Sequence, residues 1–423
     1  MGMKRREFTR LVTAGAVAPL FARAAGAWPP PPLPKTPAEP DEHFWESVRA
    51  QFLMPPDLAM LNAANLCPSS APVLDALYRH TRDVDEDPSF ENRAELGEAR
   101  EATRRRLAEF LRVSPEEIII TRNTSEANNL VSSGVDLGPS DEVLIHADNH
   151  PSSNIAWKQK GKRFGYTVRE IPTPNPYPGP AHYLEAFAGA ITPRTKVIAF
   201  THLTSTVGDL LPARELCRLA RERGILTLVD GAQSFGLLDL DLADMQPDFF
   251  SGSAHKWPCG PKEAGVLYVN RAAQPKIWAS IYSAYPGAIG LSKTFESFGQ
   301  RDEAAILAFG EALAFQSKVG RPLIERRARA LTTELANGLR AIDGVKVWTS
   351  DDPAWRAAIV SFQPAALDQR KLAAALYAKD RIGCATRSSA DRPGIRFSPH
   401  FYNTRAEIDR ALAAVRRYVT AGL

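Results

Sequence analysis

The strongest constraint on the fold is a repeated change of pattern that begins near residue 116. Short apolar runs alternate with longer amphipathic stretches. The runs are Glu117–Thr121, Glu142–His146, Val197–Thr201, Ile225–Val229, Asp248–Ser251 and Gly265–Val269, each rich in Ile, Val, Leu or Phe and flanked by polar residues, Gly or Pro. Strands buried on both faces of a parallel sheet have this make-up. Between them, helical periodicity is clearest over Ala213–Arg223, with Gly224 placed to end the helix. The alternation predicts an α/β fold, a mainly parallel sheet with helices on both faces. Ligands in such sheets bind at the carboxyl ends of the strands, so the loops that follow the runs are where chemistry is expected.

The chain has 423 residues, enough for two units at roughly 100–200 residues each. Residues 41–324 are expected to form the large domain, and residues 325–423 a smaller α+β one. The smaller unit reads as a helix at Ile324–Leu339, strands near Val345–Thr349 and Ala358–Phe362, and a helix at Asp368–Lys379. Strands near Ile382–Thr386 and Gly394–Ser398 and a last helix at Arg405–Thr420 complete it. Residues 41–60 are expected to pack with it. No internal repeat stands out.

The net charge of +4 is concentrated at the N-terminus: residues 1–27 hold Lys4, Arg5, Arg6, Arg10 and Arg23 against Glu7 alone, so the remainder is formally neutral. A neutral body lacks the clustered cations of a nucleic-acid footprint. The basic start, the apolar run Leu11–Ala22 and Ala25-Gly26-Ala27 make up an export signal rather than a membrane anchor. Adjacent Arg5 and Arg6, with Phe8 close behind, resemble the twin-arginine type, which implies the twin-arginine export machinery as a partner and a periplasmic or otherwise exported location. No stretch of about 18 apolar residues follows, so no stable membrane insertion is expected after cleavage. Residues 28–40 carry seven prolines in thirteen positions, a stiff spacer. Cys67, Cys217, Cys259 and Cys384 form no C-x-x-C pair and no metal-type cluster; four free thiols are expected.

The loops after the runs carry a set of groups that belong together. Thr124 and Ser125 stand where a helix begins, a place that favours a phosphate. His150 follows the second run and can stack on a flat ring. Asp230 ends a buried hydrophobic strand, where a carboxylate needs a cation or strong donors, such as a protonated ring nitrogen. Lys256, after Ser253-Ala254-His255, sits where partial burial would leave its amine nucleophilic and suited to Schiff-base chemistry. A phosphate cradle, a ring stacker, an acid for a ring nitrogen and an imine-forming lysine, in order on consecutive strand ends, are what pyridoxal 5′-phosphate (PLP) requires.

Asp230-Gly231-Ala232-Gln233, followed 26 residues after its aspartate by Lys256 in Ser253-Ala254-His255-Lys256, and the run Gly260–Val269 resemble the class V aminotransferase family of fold-type I PLP enzymes. That family includes cysteine desulfurases, kynureninases and isopenicillin N epimerases, and the resemblance covers residues 41–423. It implies that Lys256 holds the cofactor and shuttles the α-proton, that Asp230 keeps the pyridine nitrogen protonated and that His150 stacks on the ring. Gln233 would bond the ring hydroxyl, with Ser205 near it in a position where many relatives have Asn. Thr124, Ser125, Ser253 and His255 would hold the phosphate. Family members are typically dimers, and Gln300, in Phe298–Asp302, would reach the neighbour's phosphate. Arg396 would clamp the substrate α-carboxylate, a task suited to a planar guanidinium, and Arg387 is a second anion contact.

The reaction expected is transamination or epimerisation of an amino acid or its derivative, since Arg396–Thr404 and Gly299–Asp302 look closest to isopenicillin N epimerase-like members. Ser388–Pro393 contains no cysteine, and Cys384 precedes Arg387, which counts against persulfide-forming desulfuration but not against β-elimination. The alternatives are a C–S or β-elimination lyase or desulfurase-like enzyme and, in another class, an exported protein that binds an amino compound without turnover.

Overall fold

The computed structural model describes residues 30–364, 366–389 and 391–423; residues 1–27, where an export signal is expected, lie outside them. Strand β1 (Ala59–Met60) precedes seven strands that form the main sheet. These are β2 (Ile118–Thr121), β3 (Glu142–His146), β4 (Thr167–Ile171), β5 (Thr195–Thr201), β6 (Leu226–Asp230), β7 (Phe249–Ser253) and β8 (Gly265–Val269). Their order across the sheet is β2-β8-β7-β6-β5-β3-β4. The pairs β3·β4, β3·β5, β5·β6 and β6·β7 are parallel. β8 runs antiparallel to both its neighbours, which turns β2 back into the common direction. The carboxyl ends of β2, β3, β5, β6 and β7 therefore share one edge.

The sheet separates two hydrophobic layers by simple alternation. Ile118, Ile120, Leu144, Ile198, Phe200, Val229 and Phe250 point into one; Ile119, Val143, Ile145, Val197, Leu228 and Phe249 point into the other. The first layer is covered by the helix Glu303–Val319, whose buried residues run around its whole circumference because it is itself enclosed by helices Ala71–Glu86 and Phe90–Leu111. The second is covered by helices Thr124–Gly134 and Pro151–Phe164.

The apolar pattern predicts no strand at Thr167–Ile171. β4 is one of the two edge strands and, unlike β2 at the other edge, is mostly exposed, so it carries none of the continuous apolar run that burial imposes on the other six.

Beyond it, β9 (Val345–Val347), β10 (Val360–Pro364), β12 (Ala385–Arg387) and β13 (Gly394–Phe397) form an antiparallel sheet ordered β12-β13-β10-β9. β11 (Ile382–Gly383) pairs instead with β1. Helices Arg321–Arg340, Gln369–Asp380 and Arg405–Ala421 pack on this unit around a third cluster. Helix Arg321–Arg340 bridges the clusters, with Ile324 and Ala328 in the first and Leu331, Leu335 and Leu339 in the third. Of residues 41–60, Phe44, Trp45 and Val48 belong to the first cluster and Ala59 to the third.

The described part of the Pro-rich stretch does not stand clear as a spacer. Leu33 is buried in the first cluster, the Pro31 carbonyl accepts from Gln51 Nε2 at 2.8 Å, and Thr36 Oγ1 donates to the Lys318 carbonyl at 2.9 Å. A proline-rich strand keeps its carbonyls unbonded internally, and one apolar side chain is enough to seat it. All four cysteines are free. No helix among the described residues is long and apolar enough to cross a membrane.

Candidate active site

The shared edge of the sheet opens on a cavity of about 740 Å³. Eleven of the twelve residues picked out from sequence line it: Thr124, Ser125, His150, Ser205, Asp230, Gln233, Ser253, His255, Lys256, Arg387 and Arg396. Gln300 does not. It lies in a separate hollow with Arg122, Phe298 and Arg301 and accepts from Arg93.

Each group is set by the strand that delivers it. Asp230 ends β6 and is nearly fully buried. Its Oδ2 accepts from Asn128 Nδ2 at 2.8 Å and its Oδ1 from the Ala232 N–H at 3.0 Å. The next residue must be glycine, because a Cβ at Gly231 would lie 2.0 Å from Phe250 Cζ and 2.7 Å from the Ser251 carbonyl oxygen. Gln233 donates to the Ala64 carbonyl and accepts from the Trp257 indole N–H, which leaves one N–H of its amide for a ligand.

Elsewhere in the cavity wall, Asn123 caps the helix Thr124–Gly134 by accepting from the Glu126 N–H at 3.0 Å. Ser253 Oγ, at the end of β7, accepts from the Thr124 N–H at 2.8 Å and lies 2.7 Å from Thr124 Oγ1. Hydroxyls at a helix start form an oxyanion cradle. His255 Nδ1 is buried without a partner. Burial, helped by Lys256 and Lys262, pushes its pKa down to about 4, so the ring is a neutral donor.

His150 caps helix Pro151–Phe164, its Nδ1 2.8 Å from Ser152 Oγ. Asn149 ties that loop to β5, accepting from the Thr201 N–H at 2.7 Å and donating to the Ala199 carbonyl at 3.1 Å. Burial lowers the His150 pKa, and Lys256, Arg387 and Arg396 push the same way against Asp230. A neutral, tethered imidazole is free to lie flat against a ring.

The Lys256 amine has no hydrogen-bond partner among the described residues. Burial depresses its pKa and Arg396 adds to the effect, while Asp230 opposes it. The backbone next to it is clamped: the Trp257 carbonyl accepts from Gln316 Nε2 at 2.6 Å and bonds His400 Nε2 at 2.7 Å. Arg396, on β13, donates to the Ser205 carbonyl at 2.7 Å and to Asn62 Oδ1 at 3.1 Å. Burial draws its pKa down to about 9, with Arg387 contributing.

Asn128, Gln316 and His400 were not assigned roles from sequence. Asn128 had a usable signal: it stands one helical turn after Thr124 and so shares that residue's face. Gln316 and His400 act through the Trp257 carbonyl and leave no local mark.

The residues fit PLP: an unpaired amine, a carboxylate braced by two donors, and an oxyanion cradle with an orphaned imidazole nitrogen. Comparison with known proteins agrees. The pattern of the aminotransferase class-V family matches residues 69–411.

The chain belongs to the class V aminotransferase family.

Within that PLP-dependent family it is 32% identical over 393 residues to the isopenicillin N epimerase of Amycolatopsis lactamdurans, covering 88% of this chain and 98% of that protein. It is 27% identical over 393 residues to a probable cysteine desulfurase of Methanothermobacter thermautotrophicus, covering 86% and 95%. The fold matches a lysine-to-alanine variant of C-DES with glycine covalently linked to its PLP cofactor, with a TM-score of 0.80, 24% identity, and coverage of 89% and 99%. This class V chain thus has the fold-type I architecture expected from its sequence.

Proposed function

We propose that the protein uses PLP to act at the α-carbon of an amino acid or amino-acid derivative, by epimerisation or transamination. The observation that carries this reading is the unpaired, burial-depressed amine of Lys256 between Asp230 and Arg396. The cofactor, when bound, supplies an electron sink for charge developing at the α-carbon. Asp230, fixed by Asn128 and the Ala232 N–H, holds a proton on the pyridine nitrogen. His150 and the cradle of Thr124, Ser125, Ser253 and His255 orient ring and phosphate, with Gln233 and Ser205 on the ring-hydroxyl side. Arg396 binds the α-carboxylate and so aims the α-C–H bond, and Lys256 Nζ takes and returns that proton.

Relatedness to an isopenicillin N epimerase supports the epimerase and aminotransferase side. So does Cys384: it lies in the cavity wall, but burial pushes its thiol up to about 12, a protonated group unfit to attack sulfur. Purified protein is expected to absorb in the visible Schiff-base region and Lys256→Ala to lose that band; a colourless wild type refutes the reading. With a panel of amino acids in deuterated water, α-deuterium uptake without keto acid indicates epimerisation, and keto acid indicates transamination. Sulfide or ammonia release would move the assignment to the lyase alternative, and inertness to all of them to a binder.

Export and dimerisation are part of the same proposal. Arg5 and Arg6 support twin-arginine export as a folded, loaded protein, tested by fractionating cells that express the Arg5→Lys/Arg6→Lys variant. Exposed Trp278, Tyr282 and Tyr285 support a homodimer in which Gln300 faces the second subunit, tested by light scattering.

A further inference from the structure

We propose that the substrate carries a second anionic group of the carboxylate class, received by Arg387 while Arg396 takes the α-carboxylate. This rests on the PLP reading above and names the substrate class for it.

The two arginines are placed as a pair by strand register. In the antiparallel β12·β13 ladder, Ala385 faces Arg396 and Arg387 faces Gly394. Alternation then puts Arg387, Gly394 and Arg396 on one face, and both arginines line the cavity. They are diagonal neighbours, with Cα atoms roughly 7–8 Å apart in such a ladder, a spacing that the carbon chain of a dicarboxylic amino acid bridges.

Neither guanidinium is neutralised by the protein. Arg396 is nearly fully buried and spends its bonds on two neutral acceptors, with Nε left unpartnered. The Arg387 side chain has no hydrogen bond among the described residues. The carboxylate that acts on it, Asp148, is already bonded by Arg392 and Thr206. Asp230 is the sole acid among the described residues of the cavity wall, and it is turned to Asn128 and the Ala232 N–H. The cavity therefore holds three cationic groups, Lys256, Arg387 and Arg396, against one carboxylate.

The ligands expected so far do not balance this. The cofactor phosphate would be received by the hydroxyls around Thr124. Lys256 would be taken up in holding the cofactor, whose ring oxygen would offset its charge. An α-carboxylate satisfies Arg396. One half-buried guanidinium is left over, and desolvated charge without a counter-ion is unfavourable. A planar fork of donors facing a cavity fits a carboxylate bidentately.

The test is calorimetric titration of the PLP-loaded protein with unreactive acids of matched length: glutarate against valerate and adipate against hexanoate. The dicarboxylate is expected to bind at least tenfold more tightly than its monocarboxylate partner. Arg387→Met should bring the dicarboxylate down to the monocarboxylate level and leave the monocarboxylate unchanged, whereas Arg396→Met should weaken both. Equal affinities in the wild type, or equal weakening of both acids by Arg387→Met, overturns the proposal. If Arg387→Met does not fold, Arg387→Lys and the wild-type comparison decide it. Failure of the cofactor reading shows separately, as a missing visible band, and the same titrations of the unloaded chain still report on Arg387.

Discussion

The side-chain amide of Asn128 donates to Asp230 Oδ2 at 2.8 Å across 102 positions of sequence, and its carbonyl oxygen accepts from Ser251 Oγ at 2.7 Å. One asparagine thus joins the end of β6 to the middle of β7 and fixes the carboxylate proposed to face the ring nitrogen. Asn128→Leu fills the space but leaves Asp230 and the Ser251 hydroxyl short of partners. It is expected to cost about 1–3 kcal/mol of stability and to weaken cofactor retention. The urea midpoint and the visible band remaining after dialysis measure the two effects.

The depressed pKa of Lys256 sets a pH profile. Because the folded chain disfavours the ammonium form, the amine is neutral at lower pH than an ordinary lysine. The rate at which the unloaded chain takes up PLP should therefore rise with pH and level off below the usual lysine value of 10.5. Asp230→Asn removes the opposing negative charge and should move the inflection down. Arg396→Gln removes a positive charge and should move it up. An unshifted inflection in both variants would separate Lys256 from these neighbours.

Acid sensitivity follows from buried imidazoles. Burial pushes His146 and His202 down to about 4 and His400 to about 3. The unfolded chain takes up these protons near 6.5 and the folded one does not, so stability is lost as pH falls from about 6.5 towards 4. Asp209 acts the other way: burial holds it up to about 7, so the fold gains a proton that the unfolded chain takes up only near 4. With His255, also pushed to about 4, four imidazoles against one carboxyl leave a net three protons, roughly 4 kcal/mol per pH unit. Denaturation midpoints measured between pH 7 and 4.5 should fall steeply; a flat profile contradicts this.

A buried ion pair anchors β2. Arg104, fully buried, bonds both carboxylate oxygens of Glu296 and the Ile118 carbonyl, and Glu296 accepts from the Ile120 N–H. Glu101 also accepts two bonds from Arg104, so Glu296→Gln leaves the guanidinium a second carboxylate, whereas Arg104→Met strands Glu296. Arg104→Met should cost about 3–5 kcal/mol, Glu296→Gln less, and the double variant less than the two together. Chemical denaturation of the three proteins tests this. Because β2 leads directly into the phosphate cradle, the single variants should also hold PLP less well.

The amino-acid sequence by itself determined the strand–helix alternation, the strand ends where ligands gather, and the placing of Lys256, Asp230, His150, Ser253 and Thr124 on them. These are local properties: burial of a strand on both faces dictates its own apolar run, and each reactive group stands within a few residues of a strand end. Tertiary structure alone decided the antiparallel course of β8, the edge strand β4, the bracing of Asp230 by Asn128 and the meeting of Arg387 with Arg396 over one cavity. It also brought Arg396 to the Ser205 carbonyl, 191 positions away, and Arg104 to Glu296, 192 positions away. The physical reason is that a buried charge or amide is satisfied by whichever partner the packed sheets bring within about 3 Å, and sequence spacing carries no record of that partner.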